Sequence, residues 1–386
     1  MVKKIELLGV KFVYLKSKRR REMGRHYNQV LEKIMQDFTL RTGLIGSVIS
    51  KRYLWTDAFA VCNFLELYKI KKDKRYLDLA QKLIDEVHNI LGRYNETKEW
   101  ISGLSEYEAI LHPTAGGLRI GKPLPQREVN DPFDEQLEWE RDGQYFHYLT
   151  KWMYALSRMT QVTGEVKYNR WAIELAKVAF EKFSYIDSVN GQRQIYWKMS
   201  IDLSRPLVSS MGQHDALDAL VTFLELQDVE KDSDLSFEIQ ECKKMISLTQ
   251  LSTSDPLGIG GLLSDTYFMW KLHLRDDPIY RQMISASIHS LRSYIDSEHG
   301  LNYPAEYRLA FRELGLAIGL KAIQKMDDFI SNTFALYTPI ADEIIAFWQE
   351  EKNQQNDTWK DHIDINTVMI ATALAPDGYL GKEKKL

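Results

Sequence analysis

Two kinds of helical stretch alternate along this sequence, and that alternation restricts its fold more than any other feature. Near residues 25–40, 74–93, 165–184, 235–248, 278–296 and 338–352, apolar residues recur at i, i+3 and i+4 with Lys, Glu and Arg opposite. That is the pattern of a helix burying one stripe. Between them, near 56–71, 143–162, 213–227, 262–275, 307–323 and 363–375, lie stretches apolar around nearly their whole circumference, such as Ala58–Leu65, Ala216–Leu224 and Ile365–Leu374. A helix apolar on all sides must be covered on all sides. Six such helices, parallel to one another and each returning through an amphipathic one, close into a ring inside a ring. Gly315 and Gly319 would each cost about 1 kcal/mol against Ala in an exposed helix, which predicts close helix packing there.

An internal echo supports the same unit. Tyr76-x3-Ala80-x2-Leu83 and Tyr168-x3-Ala172-x2-Leu175 share one pattern, each following an apolar stretch and a polar turn (69–75 and 160–167), and a weaker copy begins at Tyr280. The unit is helix, short turn, helix. This turn-plus-Tyr-x3-Ala unit and the six alternating pairs resemble the six-hairpin glycosidase-like superfamily. The resemblance implies an all-α fold, an (α/α)6 toroid, and a place among glycoside hydrolases, sugar epimerases and polysaccharide lyases. Residues 25–380 are then expected to form one toroid domain, with 1–24 an N-terminal extension and 381–386 a tail.

The 50 Lys and Arg against 54 Asp and Glu give a net charge of -4 and a pI near 6.2, without the basic excess of a nucleic-acid binder. Cys62 and Cys242 have no partner motif, which excludes a disulfide scaffold and a Cys-rich zinc site. At the N-terminus, Lys11 and Lys16 break the apolar run and Lys18–Arg21 follow it, so neither a signal peptide nor a membrane span is read. The expectation is a cytoplasmic protein acting on a small carbohydrate, without nucleic-acid or membrane partners and without a cofactor.

In a ring, the segments entering the apolar helices gather at one mouth, and those segments share an unusual composition. They contribute Arg52, Trp55 and Asp57; Trp139, Asp142, Tyr145 and His147; His214 and Asp215; Asp265; Arg312 and Glu313; and Trp359, His362 and Asp364. Helix capping accounts for Asp57, Asp265 and Asp364 taken singly, because Asp side chains accept free backbone N–H groups. It does not account for the three histidines or the indole rings beside them. Flat aromatic rings suit the apolar face of a sugar, and glycosidic cleavage needs one protonated and one ionised carboxyl group. Asp57 and Asp215 are the first candidate pair, Asp142 the next, with His214 adjoining. Epimerisation would instead use His147, His214, His362 and Glu313 as proton carriers. Arg52, Arg141 or Arg312 would hold a substrate carboxylate.

Residues 95–143 interrupt the helical rhythm with four prolines and are expected to fold as an ordered loop over the mouth. Asn190-Gly191 between Tyr185-Ile186 and Ile195-Trp197 predicts a minor β-hairpin whose aromatics, Trp197 among them, rim the site. Gly116–Lys122 copies seven positions of a phosphate loop, but Pro123 stands where the Ser/Thr belongs and no strand precedes it. The metal-capable sets at 214–218 and 361–364 lack known ligand spacings. The reading is a glycoside hydrolase acting on short oligosaccharides through paired carboxylates. The alternatives are a sugar epimerase or isomerase, or a toroid that binds a glycan or protein without catalysis.

Overall fold

The computed structural model describes residues 27–210, 212–246, 250–296 and 301–381; the basic run Lys18–Arg21 lies outside them. Twelve helices build the ring. The odd-numbered ones are outer: α1 (27–41), α3 (Lys74–Leu91), α5 (Lys167–Phe183), α7 (Ser236–Met245), α9 (Pro278–Asp296) and α11 (Ile340–Gln349). The even-numbered ones are inner: α2 (Leu54–Lys71), α4 (Phe146–Thr163), α6 (Asp215–Val229), α8 (Pro256–Lys271), α10 (Ala310–Ile323) and α12 (Ile363–Leu374). Each inner helix packs against the next, and α12 packs against α2, so the ring closes. The fold is the expected all-α (α/α)6 toroid.

The echo residues face inward from the outer ring. Tyr76, Ala80 and Leu83 on α3, Tyr168, Ala172 and Leu175 on α5, and Tyr280 on α9 are all buried. Asp73 caps α3 by accepting the Arg75 N–H at 3.0 Å. Helix α8 begins at Pro256, six residues earlier than its sequence suggests, because Asp255 accepts the Gly258 N–H at 3.0 Å and Pro256 occupies the first turn. The glycines that read as a loop are a packing device: a Cβ on Gly260 would stand 2.1 Å from the Gly315 carbonyl oxygen, and one on Gly319 2.5 Å from that of Gly260. Side-chain-free surfaces let α8 and α10 touch backbone to backbone.

Turns from inner to outer helix are short for the first two units, where α2 reaches α3 through residues 72–73 and α4 reaches α5 through 164–166. The segments running from an outer helix to the next inner one carry the irregular structure. Residues 92–145 hold short helices Glu106–Leu111 and Glu135–Glu140, and residues 184–214 hold the hairpin Ser184–Ile186 with Arg193–Ile195 in the register Ser184↔Ile195. A second small antiparallel sheet joins Gln144–Tyr145, Lys198–Met199 and Pro206–Val208. Gly116 and Gly117 of the phosphate-loop look-alike press on Ser102 and Gln144, a packing role. Among the described residues no helix is long and apolar enough to cross a membrane.

Candidate active site

The outer-to-inner segments converge on a cavity of about 1100 Å³ at the N-terminal ends of the inner helices. Ten of the residues singled out from sequence line it: Trp55, Trp139, Tyr145, His147, Trp197, His214, Asp215, Arg312, His362 and Asp364. The loop at 95–143 contributes Gly121, Lys122, Pro123, Trp139 and Glu140 to the wall. Its aromatics form a continuous face. Trp197 meets Trp139 edge-on at 4.9 Å, lies 5.1 Å from Tyr145 and stacks on His147 at 6.0 Å, and Trp55 lies 5.3 Å from Tyr148. Such a face presents flat apolar area with polar tips.

Seven of the singled-out residues do not line the cavity, and each has a physical reason; Arg141 is drawn into an ion pair with Asp131 at 2.9 Å. Arg52 is buried behind α2, donating to the Thr42 carbonyl at 2.7 Å and lying 3.5 Å from Asp57. Asp57 accepts the Tyr53 N–H at 2.9 Å, closing the first turn of α2 from the fourth helical position. Burial, opposed by the Arg52 charge, pushes its carboxyl up to about 6. Asp142 clamps the long loop, pairing with the Arg119 guanidinium and accepting the Gly121 and Gly143 N–H groups at 3.0 Å. Trp359 is buried against Trp348 at 5.7 Å. Asp265 is not at a helix entrance, because α8 starts early; it lies inside the wall, behind Asp218.

Glu313 is the last of them. It takes a bidentate grip from Arg308 (2.7 and 2.6 Å) and the Trp348 indole N–H at 2.7 Å. This buried pair fastens α10 to α11, so Glu313→Gln, which leaves the Arg308 charge unpaired, is expected to lower stability by about 3 kcal/mol. A denaturant midpoint unchanged from the parent would contradict that role.

Sequence reasoning left Lys151, Tyr148 and Asp218 out of the site set, although Lys151 and Asp218 fall one turn after His147 and Asp215 and Tyr148 adjoins His147. Asp218 lines the cavity and pairs with Lys151 at 3.2 Å. Two carboxyl groups one turn apart on α6 are thus held in opposite states. Burial, reinforced by the Asp218 charge, pushes Asp215 up to about 7. Asp218, although buried, is held below the ordinary carboxylate range by Lys151 and by a hydrogen bond from Asp265. Asp265 is pushed well above its usual value by burial and by the Asp218 charge, and therefore carries the shared proton. Asp215 also accepts the Gly212 N–H at 3.0 Å.

The histidines differ from one another. Burial holds His147 down to about 4, so it is neutral at pH 7, and its Nδ1 is buried without a hydrogen-bond partner. The His214 Nε2–H donates to the Leu251 carbonyl at 2.8 Å. His362 meets Phe311 edge-on at 5.6 Å. Of the charged residues singled out from sequence, Arg312 pairs with Asp255 and Asp364 with Arg41, both at 2.7 Å.

No protein-family model matches this chain, and no curated protein matches it in sequence. Solved structures do match in shape. A family 76 α-mannanase from Bacteroides thetaiotaomicron superposes with a TM-score of 0.56 at 11% identity, over 90% of this chain and 95% of its own. The α-1,6-mannanase of a Salegentibacter species gives 0.56 at 12%, over 91% and 99%. A D-mannose isomerase gives 0.54 at 12%, over 91% and 97%. At such identities the likeness is one of fold alone.

Proposed function

From a six-hairpin toroid with an aromatic, acid-lined mouth, we propose that this chain is a carbohydrate-active enzyme, a glycoside hydrolase acting on short saccharides. The observation that carries the reading is the carboxyl pair on α6. Asp215, pushed up to about 7, holds its proton near neutrality and serves as the acid to the leaving oxygen. Asp218, kept ionised by Lys151 and Asp265, serves as base or nucleophile at the anomeric carbon. The stacked rings of Trp139, Tyr145 and Trp197 supply the sugar-binding face. Consecutive aspartates are replaced in an inactive variant of the Salegentibacter mannanase. The consecutive pairs Asp276-Asp277 and Asp327-Asp328 of this chain lie outside the cavity wall, so a different carboxyl pair is assigned here.

The test is hydrolysis of α-1,6-mannotriose and of a panel of disaccharides, followed across pH. An acid with a raised pKa is competent while protonated, so kcat/KM is expected to be level through pH 5–6 and to fall as pH rises through about 7. A rate that climbs through pH 7–8 would assign the proton donor elsewhere. A second reading, aldose–ketose isomerisation or epimerisation, is favoured by the neutral, unpartnered His147 beside His214 and His362. It predicts uptake of solvent deuterium at the sugar carbon next to the carbonyl when D-mannose is the substrate, which hydrolysis does not produce.

A further inference from the structure

The cavity occupies only the mouth half of the ring. Its deepest wall residues on α8 and α10, Ser264 and Ile318, lie eight positions into their helices, a depth of about 12 Å at 1.5 Å per residue. Beyond them the bore is filled. Residues 376–381 turn in beneath the cavity, with Gly378, Tyr379 and Leu380 buried. The turn is tied to several sides of the ring. The Arg158 guanidinium of α4 donates to the Gly378 carbonyl at 3.1 Å, the Tyr154 hydroxyl to the Tyr379 carbonyl at 2.8 Å, and Lys325 pairs with Asp377. A Cβ on Gly378 would meet the Cys62 carbonyl oxygen of α2 at 2.4 Å, so the turn lies directly on that helix. The Tyr379 ring, packed against Phe59 at 4.7 Å, Tyr154 at 5.3 Å and Phe268 at 5.7 Å, lines the cavity, and the charges of Lys151 and Asp218 act on its hydroxyl.

We propose that the 376–381 turn seals the far end of the ring and that Tyr379, as the floor beneath the carboxyl cluster, confines the site to the terminal unit of a saccharide. This rests on the carbohydrate reading above and extends it to a substrate class. A chain threading an open bore would present internal bonds to Asp215 and Asp218. In a blind cavity, a saccharide that reaches Asp218, whose charge acts on the hydroxyl of the floor residue Tyr379, has depth below it only for a chain end.

The seal has a readout that needs no sugar. The chain has two cysteines, so in a Cys242→Ser background Cys62, which lies against the turn, is the reporting thiol. Maleimide labelling of Cys62 is expected to be slow in that background and at least about tenfold faster in Tyr379→Ala and in Lys325→Ala, which removes a tether without touching the cavity. Equal labelling rates in all three would overturn the seal. For specificity, the parent is expected to release only terminal units from α-1,6-mannotetraose, and Tyr379→Ala to release internal fragments as well. Internal fragments among the parent's first products would overturn the floor assignment and leave the carboxyl assignment standing. Failure to bind any saccharide would overturn the carbohydrate reading, and the specificity half with it, while the labelling result still decides the seal.

Discussion

Asp215→Asn is expected to lower kcat by about 10²–10⁴-fold, the range for removal of a positioned general acid, while saccharide binding stays measurable by calorimetry. Asn is nearly isosteric and can still accept the Gly212 N–H, so the cavity keeps its shape. The same substitution has a stability signature that separates catalysis from folding. The folded chain holds the Asp215 proton between pH 3.8 and about 7, where an unfolded chain has lost it. A carboxyl raised in this way removes stability as pH rises through that window. Asn has no proton to lose, so the variant is expected to melt above the parent at pH 8 and beside it at pH 4. A variant that retains turnover, or that is inactive because it is less stable at pH 8, would remove Asp215 from the proton-donor role.

Gly260→Ala is expected to destabilise the fold by about 3 kcal/mol or more, because the added methyl would stand 2.1 Å from the Gly315 carbonyl oxygen. Neither backbone can yield without moving α8 from α10, and both helices are walls of the cavity. Gly261→Ala is the control. A Cβ there meets nothing within 4 Å, so the change is expected to be neutral or stabilising by up to about 1 kcal/mol. Denaturant midpoints of the two variants check the pair, and similar values would mean that α8 and α10 are not in backbone contact.

Helix type was legible in the sequence because burial on one face or on all faces leaves a direct record in residue periodicity. The Asn190-Gly191 hairpin was legible for a similar reason, since it is written within one short segment, and His147, His214 and His362 were legible by their shared place at the entrances of inner helices. Partners distant along the chain were not. Asp142 looks like a mouth acid until Arg119 folds onto it, and Glu313 until Arg308 and Trp348 engage both its oxygens. Asp265 was assigned to a helix entrance because Gly258, Gly260 and Gly261 weigh against helix in isolation, a preference that close packing against α10 overrides. The role of Asp218 was half visible: the spacing from Asp215 is local, but Lys151, which keeps it ionised, arrives from another hairpin.

The contact between α12 and α2 carries a consequence for how this molecule comes apart. In a linear array of repeats the end units have one neighbour each, and fraying begins there. A circular array has no end unit, and lifting out any one hairpin strands two greasy flanks at once. The hairpins therefore share their fate, and the chemistry at their common entrance persists or vanishes as a whole.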